Sequence, residues 1–191
     1  MSFYSKPSGL AMDELIQNLK NMNVEINLLD AIELFGKDGT SHTFVYANIV
    51  KSIEIWEIDK KFETTLRKNF ANAKIRIVDS IKFLQNQASV CKYSFIVIDN
   101  PMNIFGTENV DAYCEHFEII KFVNKIMNHN TIIVFNVNTA PYDYHKFPDW
   151  KKRRDEFYGE IDTSNMSLDF MFNFYKNFFT KIGWKTISSF N

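Results

Sequence analysis

The chain has 191 residues, 46% hydrophobic and 16% aromatic, which is ample for one continuous core and argues against disorder over most of its length. Its net charge of -1 gives no overall attraction for a phosphate backbone, so a nucleic-acid partner is not favoured. No apolar run approaches the roughly 20 residues that span a bilayer, and residues 1–8 carry no basic segment followed by an apolar core, so a cytoplasmic protein without membrane contact is expected. Cys91 and Cys114 have neither metal-knuckle nor redox-pair spacing and read as buried free thiols.

In chain order, Met12, Leu15, Ile16 and Leu19 fall at i, i+3, i+4 and i+7, which predicts an amphipathic helix over residues 9–22. Such a helix can cover one edge of a ligand site or simply pack. From residue 30, short apolar runs alternate with helical stretches, and strands are predicted at 30–35, 52–58, 74–78, 93–98 and 131–135. Phe62, Leu66 and Phe70 mark a helix after the second strand, and Ile119, Phe122, Val123 and Ile126 mark another before the fifth. Residues 138–167, with Pro141, Tyr142, Tyr144, His145, Pro148 and Trp150, break this rhythm and read as a lid or an acceptor-side insertion. A helix over 168–181, ended by Gly183, and a strand over 185–190 close the chain.

Strands joined by helical crossovers imply a single α/β domain over residues 1–191, with a doubly wound, mainly parallel sheet and helices on both faces. Ligands of such sheets bind beyond the carboxyl ends of the strands, at the reversal of strand order. The residues that end each strand are therefore the ones to read.

After the first strand, Glu33-Leu34-Phe35-Gly36-Lys37-Asp38-Gly39-Thr40-Ser41 is a turn with two glycines leading into a helix from about Ser41. Gly36 and Gly39 let backbone approach a ligand, and free amides at a helix start suit a carboxylate or phosphate; a plain strand-to-helix turn is the alternative. Glu57 ends the second strand 24 residues beyond Glu33, a spacing at which a carboxylate can receive both ribose hydroxyls. Asp79 and Ser80 follow the third strand, where Asp79 can accept from an adenine amino group, cap the next helix, or do both. Asp99 follows the fourth and starts the rigid turn Asp99-Asn100-Pro101, suited to a cationic ligand group or an acceptor proton, or to turn initiation alone.

The series of glycine turn, Glu57, Asp79 and Asp99 resembles the successive motifs of class I methyltransferases that use S-adenosylmethionine, and Ile55-Trp56-Glu57-Ile58-Asp59 with Ile77-Val78-Asp79 also resembles their spermidine-synthase branch. The resemblance spans about residues 29–137 and implies a Rossmann-like methyltransferase fold with S-adenosylmethionine as cofactor. It implies Glu33 and the backbone at Gly36 to Gly39 around the methionine part, Glu57 on the ribose, Asp79 on the adenine and Asp99 in the reaction cleft. The chain departs from the family at Lys37, where the turn usually carries another glycine. A dinucleotide is less well matched, since the turn lacks the three-glycine pattern that receives a pyrophosphate.

Methyl transfer needs in-line approach more than acid or base, so positioning can supply much of the catalysis. If the acceptor is a hydroxyl, His145 in the aromatic loop is the candidate base, with an ordinary loop histidine as the alternative. His42, beside the glycine turn, could contact ligand or pack; His116 and His129 read as surface residues. No two histidines pair with carboxylates at metal-ligand spacing, so no metal is expected. The run Lys151 to Arg154 could clamp an acidic group, but reads better as a solvated helix face. The expected function is methyl transfer to a small-molecule or saccharide-like acceptor, with aminopropyl transfer and a non-catalytic cofactor-binding scaffold as alternatives; a homo-oligomer stays open.

Overall fold

Five runs rich in Ile and Val form one parallel sheet in the computed structural model, which describes residues 8–86, 92–99, 116–137, 139, 148–159 and 161–184. The strands are β1 Asp30–Glu33, β2 Ser52–Glu57, β3 Lys74–Ile77, β4 Tyr93–Ile98 and β5 Met127–Phe135, in the spatial order β3-β2-β1-β4-β5. The chain moves outward from β1 through β2 and β3, then returns to the other side of β1, so strand order reverses between β1 and β4. Register makes this reversal concrete: Glu33 lies opposite Ile55 on one side and Val97 on the other. Glu57 and Asp99 each lie two residues beyond those partners, so both flank Glu33 at the carboxyl edge of the sheet.

Helices cover both faces, as a sheet with little polar surface on either side requires. On one face, α1 Ser8–Asn21, α2 Thr43–Tyr46 and α3 Glu63–Asn69 bury Met12, Ile16, Leu19, Tyr46 and Leu66 against Ala31, Ile53, Ile55, Phe95 and Val97. On the other, α4 Ser80–Asn86, α5 Phe117–Ile120 and α7 Leu168–Lys181 bury Leu84, Ile119, Ile120, Met171 and Tyr175 against Ile32, Trp56, Ile96 and Ile98. The expected doubly wound α/β architecture is therefore present. Among the described residues, no helix is long and apolar enough to cross a membrane.

Three local expectations are corrected. The helix foreseen through Ile119 and Ile126 is α5 followed by a separate 3-10 turn, Val123–Lys125; the mixed path still buries Ile119, Val123 and Ile126, so periodicity alone reads as one helix. The first crossover helix is only the four residues of α2, because the turn before it runs to His42. β5 starts at Met127 rather than Thr131: Met127 pairs with Tyr93 and Ile132 with Phe95, and the Thr131 hydroxyl donates to the Tyr93 carbonyl (2.9 Å) across the shift in register. The strand expected at 185–190 lies outside the described residues, as do Cys91 and Cys114.

The last helix is delimited by local chemistry. Ser167 is extended and its hydroxyl accepts from the Phe170 amide (3.1 Å), a standard N-cap. At the other end Gly183 takes φ 87°, the Trp184 amide donates to the Phe179 carbonyl (2.9 Å), and the two rings stack 5.0 Å apart. Ser167→Ala removes the acceptor and is expected to lower stability by about 1 kcal/mol, read as a lower urea midpoint with an unchanged slope.

Candidate functional site

The turn after β1 is built from the chain's own needs. Leu34 donates its amide to the Val97 carbonyl (3.0 Å) and Gly36 to the Trp56 carbonyl (2.8 Å), so the first part of the turn extends the sheet. A Cβ on Gly36 would collide with Ile55; Gly39 has φ 70°, and a Cβ there would collide with the Phe70 ring. Both glycines are thus required by internal packing, whatever binds above them. Lys37 has φ 48°, the left-handed region that favours glycine, and its side chain is exposed. The departure noted at this position leaves the backbone path of the turn in place and directs the cation to solvent.

Four amides of the turn are committed within the protein. Those of Gly36, Lys37, Gly39 and Thr40 donate to the Trp56 carbonyl, Glu57 Oε2, the Gly36 carbonyl and Asp38 Oδ1.

Glu57, at the end of β2, is anchored by backbone: the Lys37 amide donates to Oε2 and the Asp59 amide to Oε1, each at 2.6 Å. The residue is buried, and burial raises its pKa above the usual carboxylate value although the amides of Asp59, Lys37 and Ile58 favour the charged form. The carboxylate keeps capacity for a further hydrogen bond. The side chain is aimed, polar and only partly spent.

Glu33 is fully buried and spent inside the protein. Its Oε1 receives His42 Nε2 (2.5 Å), and Oε2 receives the hydroxyls of Thr43 (2.8 Å) and Tyr46 (2.5 Å). Direct contact between Glu33 and a cofactor, implied by the family resemblance, is incompatible with this burial. His42 reaches further: its Nδ1 lies 2.8 Å from Asp99 Oδ2, a close ion pair rather than a well-aligned hydrogen bond. The imidazole is 8% exposed and the Asp99 side chain 30%, so Asp99 is the accessible end of a Glu33-His42-Asp99 series across the strand reversal. Burial opposes a charged ring, yet the two carboxylates prevail and raise His42 to about 10. Burial, with Glu33 beside it, holds the Tyr46 phenol well above its ordinary value, so it stays a donor.

The third strand end does structural work. Asp79 Oδ1 accepts the Lys82 amide (3.0 Å) near the start of α4, and Oδ2 lies 3.4 Å from Lys82 Nζ. The Ser80 hydroxyl donates to the Leu34 carbonyl (2.5 Å), tying α4 to the turn after β1. Asp79 remains partly exposed, whereas Ser80 is buried. His145, Asn100, Pro101 and the loop tyrosines Tyr142 and Tyr144 lie outside the described residues.

Two residues read as superficial are interior. His116 is buried, bonds the Tyr175 hydroxyl, and packs on Phe135 with centroids 5.0 Å apart; Tyr175 in turn shares a 2.7 Å hydrogen bond with Tyr158. Burial, with Arg154 nearby, lowers His116 to about 3, so the ring is neutral. On helix α6 Pro148–Phe157, Lys152 and Arg153 are exposed, but Arg154 is fully buried with its guanidinium 5.3 Å from the Tyr158 ring centre. The spacing Trp150, Arg154, Tyr158 marks this inward face and was the available signal.

Known structures share this frame. A protein of Galdieria sulphuraria assigned as a sarcosine dimethylglycine methyltransferase aligns over 95% of this chain and 64% of its own, at 13% identity and TM-score 0.57. A protein of Escherichia coli assigned as a methyltransferase aligns over 68% of this chain and 72% of its own, at 17% identity and TM-score 0.50. CalS10 of Micromonospora echinaspora, an amino pentose methyltransferase with S-adenosylmethionine bound, aligns over 72% and 53%, at 9% identity and TM-score 0.50. The chain has the Rossmann-like fold of class I methyltransferases. It spans less than two thirds of the Galdieria and Micromonospora structures it resembles. No family model and no curated protein sequence matches it.

The raised pKa of His42 has a definite sign. Between 6.5, its ordinary value, and about 10 the folded state holds a proton that the unfolded state releases. This contribution to stability is complete below pH 6.5 and is lost as pH rises towards 10. Melting temperature is expected to fall across this window, and His42→Gln to reduce the slope.

Proposed function

We propose that the protein binds S-adenosylmethionine at the carboxyl edge of the sheet and transfers its methyl group to a small-molecule or saccharide-like acceptor. The observation that carries this reading is the Glu57 carboxylate, fixed at the sheet edge by the amides of Lys37 and Asp59. A carboxylate accepts about four hydrogen bonds, so capacity remains on Glu57 for a ribose hydroxyl donor.

The rest of the donor set fits the same molecule. Glu33, Asp99 and protonated His42 sum to one negative charge, and the amides of Gly36, Lys37, Gly39 and Thr40 are committed within the protein. A dinucleotide is poorly received there, whereas a nucleoside bearing cationic groups is well received. When bound, S-adenosylmethionine supplies a methyl carbon activated by its sulfonium. The chain's part is to hold and orient: Glu57 takes the ribose, and the partly exposed Asp79 faces the adenine while capping α4. Ser80 pins α4 to the turn shaped by Gly36 and Gly39, and Asp99 meets the cationic end. For a hydroxyl acceptor, His145 would be the group that takes up the hydroxyl proton. The amino pentose acceptor of CalS10, on the same fold, supports a saccharide-like acceptor here.

Binding is tested by thermal shift with S-adenosylmethionine and S-adenosylhomocysteine. Both are expected to raise the melting temperature, and Glu57→Ala to weaken affinity about a hundredfold through the lost charge-assisted hydrogen bond. No stabilisation by either at millimolar concentration would reject the reading.

A further inference from the structure

We infer that His42 is a positioning residue: bridging buried Glu33 and partly exposed Asp99, it fixes the Asp99 carboxylate to receive the ammonium-bearing amino-acid end of the cofactor. This rests on the cofactor reading above and goes beyond it, because His42 acts through Asp99 and separates recognition of the amino-acid end from recognition of the nucleoside.

The geometry is specific to this chain. Asp99 follows β4 and Glu33 ends β1, and the last backbone hydrogen bond between the two segments among the described residues runs from the Leu34 amide to the Val97 carbonyl, two residues before Asp99. His42 spans the gap with both ring nitrogens, Nε2 at 2.5 Å from Glu33 and Nδ1 at 2.8 Å from Asp99. A doubly protonated imidazole has one N–H donor on each side of the ring and can serve two carboxylates at once. Its own position is set from α2, which it precedes and whose Thr43 and Tyr46 hold the other Glu33 oxygen. Among the described residues, the charged and titratable groups facing the imidazole are Glu33 on β1, Asp99 after β4 and, through Glu33, Tyr46 on α2.

Charge alone does not explain the arrangement. Thr43 and Tyr46 already serve one oxygen of the buried Glu33, whereas His42 alone joins that carboxylate to Asp99 among the described residues. What the imidazolium adds is position: its Nδ1 sits 2.8 Å from Asp99 Oδ2 and places that carboxylate beside the end of β1. A ligand ammonium bound there would polarise the His42-Asp99 contact, which makes the coupling observable at the histidine.

The test compares S-adenosylhomocysteine, which carries the amino-acid end, with 5′-methylthioadenosine, which lacks it, by calorimetric titration of wild type, H42Q, D99N and the double variant. H42Q is expected to weaken S-adenosylhomocysteine about tenfold, the loss of one charge-assisted contact, and to leave 5′-methylthioadenosine unchanged. D99N does the same, and the double variant is no worse than D99N, because the two residues form one device. In wild type labelled with 15N-histidine, S-adenosylhomocysteine shifts the His42 ring signals and 5′-methylthioadenosine does not. Equal losses for both ligands, additive losses in the double variant, or unmoved His42 signals would overturn the inference. Failure of wild type to bind either ligand would overturn it together with the cofactor reading, whereas retention of 5′-methylthioadenosine separates the two and shows that each variant is folded. Should H42Q not fold, D99N and the histidine spectra decide alone.

Discussion

The arrangement depends on one buried carboxylate. Glu33 sits at the end of the central strand with no access to water, and an ionised group in that position must be neutralised and hydrogen-bonded or the fold fails. The sequence that follows supplies the remedy in order: His42, Thr43 and Tyr46 bring a cation and two hydroxyls to its two oxygens. These contacts place His42 and the start of α2 against the end of β1. Once there, the other face of the imidazole meets Asp99, and the interior constraint becomes a feature of the ligand edge.

The same economy governs the glycine turn. Gly36 and Gly39 make room for Ile55 and Phe70, and Lys37 accepts a left-handed backbone so that its amide can hold Glu57. A left-handed non-glycine residue costs on the order of 1 kcal/mol, comparable to one charge-assisted hydrogen bond of about 1.5–3 kcal/mol. The amide of Lys37 therefore repays the strain at the point where it orients the candidate ribose acceptor. Packing and binding geometry at this edge have a common origin.

The fold was largely legible because its strands are short apolar runs between clear breaks; β4 was foreseen over Tyr93–Ile98 and α7 over Leu168–Lys181. Where periodicity was the only signal it could not separate α5 and a 3-10 turn from one helix, since both bury the same residues. The strand-end acids were legible by position, and register does bring Glu33, Glu57 and Asp99 to one edge. Their division of labour was not: the burial of Glu33 and the bridge from His42 to Asp99 are contacts across nine and 57 residues that spacing does not encode. His116 and Arg154 were misread for a related reason, because a polar residue on an inward helix face looks like a surface residue until its aromatic neighbours are in place.

The central claim is that the carboxyl edge of this sheet holds a nucleoside by the Glu57 carboxylate with Asp99 at its cationic end. A crystal structure of the complex with S-adenosylhomocysteine tests it most directly. The account predicts a ribose hydroxyl within hydrogen-bond distance of Glu57, its amide contacts from Lys37 and Asp59 intact, and the ligand ammonium beside Asp99. A ligand bound elsewhere, or one at this edge whose ribose makes no contact with Glu57, would contradict it.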